Sequence, residues 1–108
     1  MKKQVIPLNP SVTPQAFEQA VRDRAAFSHM VGFTAHALER MQVRGITRTM
    51  VLRVLRRGTI DGPRMKQDRA SGNWTAPIVG VTAGMEIKVV VAIEDGDLFV
   101  TVITAYGG

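Results

Sequence analysis

The chain has 108 residues, 45% of them hydrophobic, no cysteine, and a net charge of +5 from 14 lysines and arginines against 9 acids. That length builds one domain around one modest core, and the ordinary apolar share argues against wholesale disorder. The missing cysteines remove a disulfide framework, a thiol nucleophile and a Cys-based metal site.

No apolar run reaches the roughly 18 residues of a membrane span, so no membrane association is expected. The two lysines that open MKKQVIPLNP have no apolar segment behind them. No secretory signal is read there, and the cytoplasm is the expected location.

In chain order, residues 1–12 read as an extended arm, because Pro7 and Pro10 forbid a regular helix. Residues 13–108 read as the single folded domain. Thr13-Pro14 is a helix start, with Thr as the N-cap and Pro in the first turn. Phe17, Ala20, Val21, Arg24 and Phe27 then recur at helical spacing, and Gly32 ends or bends the helix. Thr34 caps a second helix that Gly45 stops, and Thr47 caps a third that stops at Gly58. The third helix buries Met50 or Val51 together with Val54 and Leu55, and Ile46 tucks into the corner between the two short helices.

After Gly58 the period changes. GTIDGPRMKQDRASGN reads as a short strand followed by a mobile loop. NWTAPIVGV, MEIKVVVAI and DLFVTVITAY read as strands, joined by hairpin turns at TAG and EDGD. Pro77 places the first of them at an edge or on a bulge. Helices followed by an antiparallel meander predict an α+β fold, with N-terminal helices packed on one face of a small antiparallel sheet of three to four strands.

The charge is unevenly placed. Residues 36–69 hold nine bases (Arg40, Arg44, Arg48, Arg53, Arg56, Arg57, Arg64, Lys66 and Arg69) and three acids (Glu39, Asp61 and Asp68). This middle third is +6, while the rest nearly cancels at −1. Arginine forks suit phosphate or carboxylate, so a polyanionic partner is expected, with plain solubility as the alternative.

His36, Arg40 and Arg44 repeat every four residues and form one polar line on the second helix. His is the side chain best placed for proton transfer near neutral pH. No acid lies three or four positions from Arg40, so this line wants an external anion or an acid from the sheet. Tyr106, at the end of the last strand, is a terminal anchor or a second proton carrier. Another possibility is structural: His36 bonds a backbone carbonyl of the last strand. Arg56 and Arg57 suit a helix C-terminus. Arg64, Lys66 and Arg69 make a basic loop suited to a phosphate backbone. Trp74 either stacks on a base or fills the core.

Other chemistries find little support. His29 and His36 do not form an H-x-x-x-H zinc pair. There is no phosphate-loop motif, and the acids gather only in the EDGD turn. No metal and no cofactor are expected.

The stretch HALERMQVRGIT, with its His, an Arg four on, and an Arg-Gly-Ile-Thr corner, resembles the opening of a bacterial group known as domain-of-unknown-function family 4258. The resemblance runs over residues 33–106. That group is in turn similar to the compact RelE, ParE and BrnT toxins, in which helices precede an antiparallel sheet. Many of these are ribonucleases encoded beside an antitoxin; ParE-like members are not ribonucleases. The resemblance implies a fold of the barnase-EndoU-colicin-RelE type and carries over His36, Arg40 and Arg44 as signature positions.

The resulting expectation is a toxin-like, metal-independent endoribonuclease. His36 serves as base or acid, Arg40 and Arg44 clamp the phosphate, and Tyr106 completes the set. Arg56, Arg57, Arg64, Lys66, Arg69 and Trp74 hold the RNA, free or on the ribosome. The rival expectation is a non-enzymatic basic module for nucleic acid or an acidic protein, including a helix-turn-helix around Gly45. The expected protein partner is an acidic antitoxin, lying in the basic groove or adding a strand at the edge marked by Pro77. The arm, with Val5, Ile6 and Leu8, folds back over this surface or exchanges between copies in a homodimer.

Overall fold

The computed structural model describes residues 12–94 and 98–107. The arm, apart from Val12, and the centre of the EDGD turn lie outside the described residues.

Helix α1 spans Pro14–Ala25. Thr13 caps it, its hydroxyl accepting from the Ala16 amide at 3.1 Å. Phe17, Val21 and Ala25, spaced by four, are fully buried. The helix ends sooner than its periodicity suggests. Ser28–Met30 forms one 3-10 turn, and Val31–Phe33 extends as strand β1. β1 pairs in parallel with the last strand, Val31 opposite Val100 and Phe33 opposite Val102. Backbone ladder bonds to a distant strand outweigh another half turn of helix. Phe27, expected on the apolar face, is 57% exposed as a result.

Helices α2 (Ala35–Arg44) and α3 (Arg48–Arg57) fall at the expected bounds. Thr34 and Thr47 accept the amides of Ala37 and Met50. Gly45 closes α2 at φ 70, a left-handed conformation that costs glycine little. Ile46 is buried in the corner, as its position suggests.

The remaining strands are β2 (Thr59–Ile60), β3 (Lys66–Gln67), β4 (Trp74–Thr82), β5 (Met85–Ile93) and β6 (Val100–Gly107). The sheet order is β1-β6-β5-β4-β2, with β3 also on β4. The α+β reading therefore holds, three helices lying on a sheet. The sheet itself is larger than expected, with six strands, and it is mixed, because β1 runs parallel to β6.

Pro77 does not mark an open edge. β2 pairs with Ile78 and Val79, and β3 with Trp74 and Thr75, so Pro77 sits between the two patches. The Pro77 carbonyl accepts the Asp61 amide on that side. The missing N–H thus faces the gap between β2 and β3, where no ladder bond is lost. The bulge lies elsewhere, on β6: Val90 faces Thr104 while Val91 faces Val102, leaving Ile103 as the extra residue. Strand addition at Pro77 is excluded by β2 and β3.

The segment read as a mobile loop is tied down. Gly62–Arg64 makes a 3-10 turn, and Asp68 closes the next turn through Ser71, Gly72 and Asn73.

One face of the sheet carries the core, with Ile78, Ile87, Val89, Val91, Ile93, Val100, Val102 and Ala105 buried beneath the helices. Side chains on a strand alternate, so Val79, Lys88, Val90, Thr104 and Tyr106 point to the opposite face. α1 and α3 are joined crosswise: Arg56 Nε donates to the Ala25 carbonyl at 2.6 Å, and Arg22 Nη2 donates to the Gly58 carbonyl at 2.9 Å. Each helix thereby places an arginine at the electronegative end of the other.

Candidate functional site

The polar line on α2 begins at the β6 bulge. The Thr34 amide donates to the Val102 carbonyl at 3.1 Å, and its hydroxyl donates to the Ile103 carbonyl at 3.4 Å. This anchors the first turn of α2 over β6, and Ala37 and Met41 hold the helix down by burial. His36, Arg40 and Arg44 are left on the solvent side, all exposed.

At the far end of α2, Arg44 folds around the β6 edge. Its Nη1 donates to the Ala105 carbonyl at 2.8 Å and lies 3.5 Å from the Thr104 hydroxyl. The guanidinium stands 5.9 Å from the centre of the Tyr106 ring, within cation–π range. Tyr106 is paired with Lys88 across the ladder, so a second cation shares its face of the sheet.

The structure therefore joins Arg44 and Tyr106, which sequence spacing alone could not connect. It does not gather the whole set at one point. Eight residues of helix separate His36 from Arg44, a rise of roughly 12 Å. Among the described residues His36 makes no hydrogen bond. The structural role considered for it, a bond to a carbonyl of the last strand, belongs instead to Thr34 and Arg44.

The expected RNA-holding residues separate into different roles. Trp74 is 7% exposed and packs in the core, so it offers no ring to a base. Arg56 is engaged with the Ala25 carbonyl. Arg64 pairs with Asp61 at 3.2 Å on the surface. Lys66 and Arg69 are exposed on the turn-rich segment, and Arg57 is exposed at the end of α3. Arg48 lies 5.3 Å over the Phe33 ring, beside the start of α2, a contact the sequence reading missed. Its only signal there was membership of the basic third.

Asp68 has its carboxyl held below the ordinary value, first by the Ser71 hydroxyl at 2.6 Å, with partial loss of hydration opposing and the Ser71 and Ala70 amides adding. Its role is to close a turn. Among the described residues no three His, Cys, Asp or Glu side chains gather as a metal site, and no helix is long and apolar enough to cross a membrane.

No curated protein and no solved structure matches the chain significantly. A family model does match, over residues 33–107, which contain all of α2, α3, β2 to β6 and the Arg44–Tyr106 contact. The chain belongs to the family described as Domain of unknown function (DUF4258).

Proposed function

We propose that this protein is a toxin-type endoribonuclease on a RelE/BrnT-like scaffold, acting on RNA without a metal. The observation that carries this reading is the α2 ridge: a solvent-open His36 followed by Arg40 and Arg44, with Arg44 linking the ridge to Tyr106. In the reaction, the ribose 2′-oxygen attacks the adjacent phosphorus and the bond to the 5′-oxygen breaks. The products are a 2′,3′-cyclic phosphate and a free 5′-hydroxyl. His36 takes the 2′-hydroxyl proton, and the arginines meet the negative charge growing on the phosphate oxygens. A Tyr106 phenol delivers a proton to the departing oxygen. Because the nucleophile is the 2′-hydroxyl, DNA is not a substrate. Both protons belong to one phosphodiester, whereas His36 and Tyr106 stand at opposite ends of the ridge, so under this reading the two side chains must be drawn onto the same phosphate when RNA binds.

The test is incubation of RNA, naked and ribosome-bound, with the protein in EDTA. Cleavage is expected, and His36→Ala is expected to slow it by about 100-fold or more, the usual share of a general acid or base. No cleavage by wild type on either substrate would refute the enzyme reading.

A second reading is favoured by a specific observation. Arg44 already donates to Ala105, and His36 lacks an orienting partner among the described residues, as suits a binding face with no chemistry. Such a module binds RNA with affinity that falls steeply with salt and depends little on sequence. An acidic antitoxin-like protein is the proposed partner under either reading, meeting the +6 middle segment.

A further inference from the structure

A second basic site lies away from the α2 ridge and shares no residue with it. Arg53 and Arg57, one turn apart on α3, overhang a hollow of about 280 Å³ whose other wall is the β4–β5 turn. Val54, Gly58, Gly80 and residues 81–84 complete it.

The hollow exists because two glycines meet. A Cβ on Gly58 would stand 2.5 Å from the Val79 carbonyl oxygen, and one on Gly80 would touch the Gly58 Cα at 3.4 Å. Backbone thus approaches backbone, and the end of α3 sits directly on β4 with its two arginines projecting over the turn.

Three features give this hollow the chemistry of an anion site. No acid lines it, and among the described residues neither Arg53 nor Arg57 has an ion pair or hydrogen bond. The adverse negative end of α3 is blunted, since Arg22 holds the Gly58 carbonyl. Most tellingly, Thr82 is only 6% exposed, yet its hydroxyl has no hydrogen-bond partner among the described residues. A buried hydroxyl without a partner is costly and uncommon. Beside it, Ala83 holds φ 52, a left-handed conformation that alanine adopts only at a cost. The central amides of such a two-residue turn take no part in the strand ladder.

We propose that this hollow is a phosphate-binding subsite: Arg53 and Arg57 supply the charge, and the Thr82 hydroxyl, sealed from solvent in this conformation, turns to donate to a phosphate oxygen. The lining selects the class of ligand. The hollow lies at the small end of the range of small-molecule pockets, and it has no aromatic wall on which a base would stack. A phosphate fits, and a nucleobase has no platform. The assignment stands whether or not the α2 ridge cleaves RNA.

The experiment is an amide NMR titration of the full chain with inorganic phosphate at constant ionic strength. Parallel arms use a dinucleoside monophosphate, which has one internal diester, and a nucleoside without phosphate. Saturable shifts at residues 82–84 with inorganic phosphate or with the dinucleoside are expected, and none with the nucleoside. Tighter binding of the dinucleoside identifies a nucleic-acid backbone as the source, and tighter binding of inorganic phosphate identifies a phosphate monoester or free phosphate.

Arg53→Gln with Arg57→Gln, both exposed and keeping good helix formers, should weaken binding about tenfold or more. Thr82→Val should weaken binding several-fold while raising the melting temperature, because it removes the unpaired hydroxyl. Absence of saturable shifts at residues 82–84 with both phosphate-bearing probes overturns the site. So does binding indifferent to the double arginine variant. Full affinity in Thr82→Val overturns the hydroxyl's part.

Discussion

Arg44 shows how one side chain serves two ends. Its guanidinium ties the last turn of α2 to the Ala105 carbonyl and reaches the Tyr106 ring beyond it. Arg44→Ala removes both and is expected to lower stability by about 1–2 kcal/mol, toward the low end for a charged hydrogen bond because the site is open to solvent. A urea melt checks this, and the loss should appear as a shift in midpoint with an unchanged slope. His36 behaves differently. Exposed and without a bond among the described residues, it should tolerate alanine within about 0.5 kcal/mol. An unchanged melt alongside lost cleavage separates chemistry from folding; a large loss of stability would restore a structural role for His36. Trp74 is the residue whose surroundings the local sequence disguised. It follows a basic, glycine-containing stretch, but its strand register turns it inward opposite Ile93.

Among the elements, the junction of α3 with β4 tolerates least. Gly58 has extended backbone that any residue adopts, so its requirement is space and not φ. A methyl there would meet the Val79 and Val54 carbonyl oxygens at 2.5 and 2.6 Å. Gly58→Ala is expected to cost about 1–3 kcal/mol through overpacking, measurable by thermal melting, and to disturb the Arg53–Arg57 hollow beside it. The turn closed by Asp68 answers to pH. A carboxyl whose folded value is depressed contributes stability that is fully present above its unfolded value and lost as pH falls through the folded one. Ser71 and Gly72 amides should therefore keep their exchange protection factors from pH 7 to pH 5 and lose them only below the ordinary value of 3.8. Asp68→Asn should weaken that protection already at pH 7, since the amide is a poorer acceptor from Ser71 than the carboxylate.

On the scale of the whole molecule, the matched family segment is expected to need α1 in order to fold. α1 lies outside residues 33–107, yet Phe17, Val21 and Ala25 are fully buried and share one core with α2, α3 and the sheet. Burying Phe or Val contributes about 1.5–3 kcal/mol each, which approaches the whole net stability of a small domain, about 5–15 kcal/mol. Deleting residues 1–30 should therefore leave a chain without a cooperative melt, although it retains the entire family match. Cooperative unfolding of that truncation would show α1 to be dispensable. The basic third is divided between two places on the surface: the α2 ridge and the α3 hollow are separate, so RNA binding should lose affinity in two independent steps when each is neutralised.

Local chemistry determined much of this protein by itself. Threonine caps and a left-handed glycine set the bounds of α2 and α3, because a cap acts within three or four residues of its helix end. Alternation and the turn residues placed β4 and β5 as a hairpin for the same reason. The basic third and the His36–Arg40–Arg44 line required only counting along the chain. Tertiary structure alone decided the rest. β1 became a strand because residues near the other end of the chain offered it a ladder. Arg44 met a carbonyl 61 positions away because the Ile103 bulge and Thr34 set α2 over β6. Arg56 was drawn to α1 and Arg57 left free to overhang the hollow, two neighbours of like charge separated by the packing of one helix on another. Such assignments depend on register and on which backbones can touch, and neither is encoded within the reach of a cap or a turn.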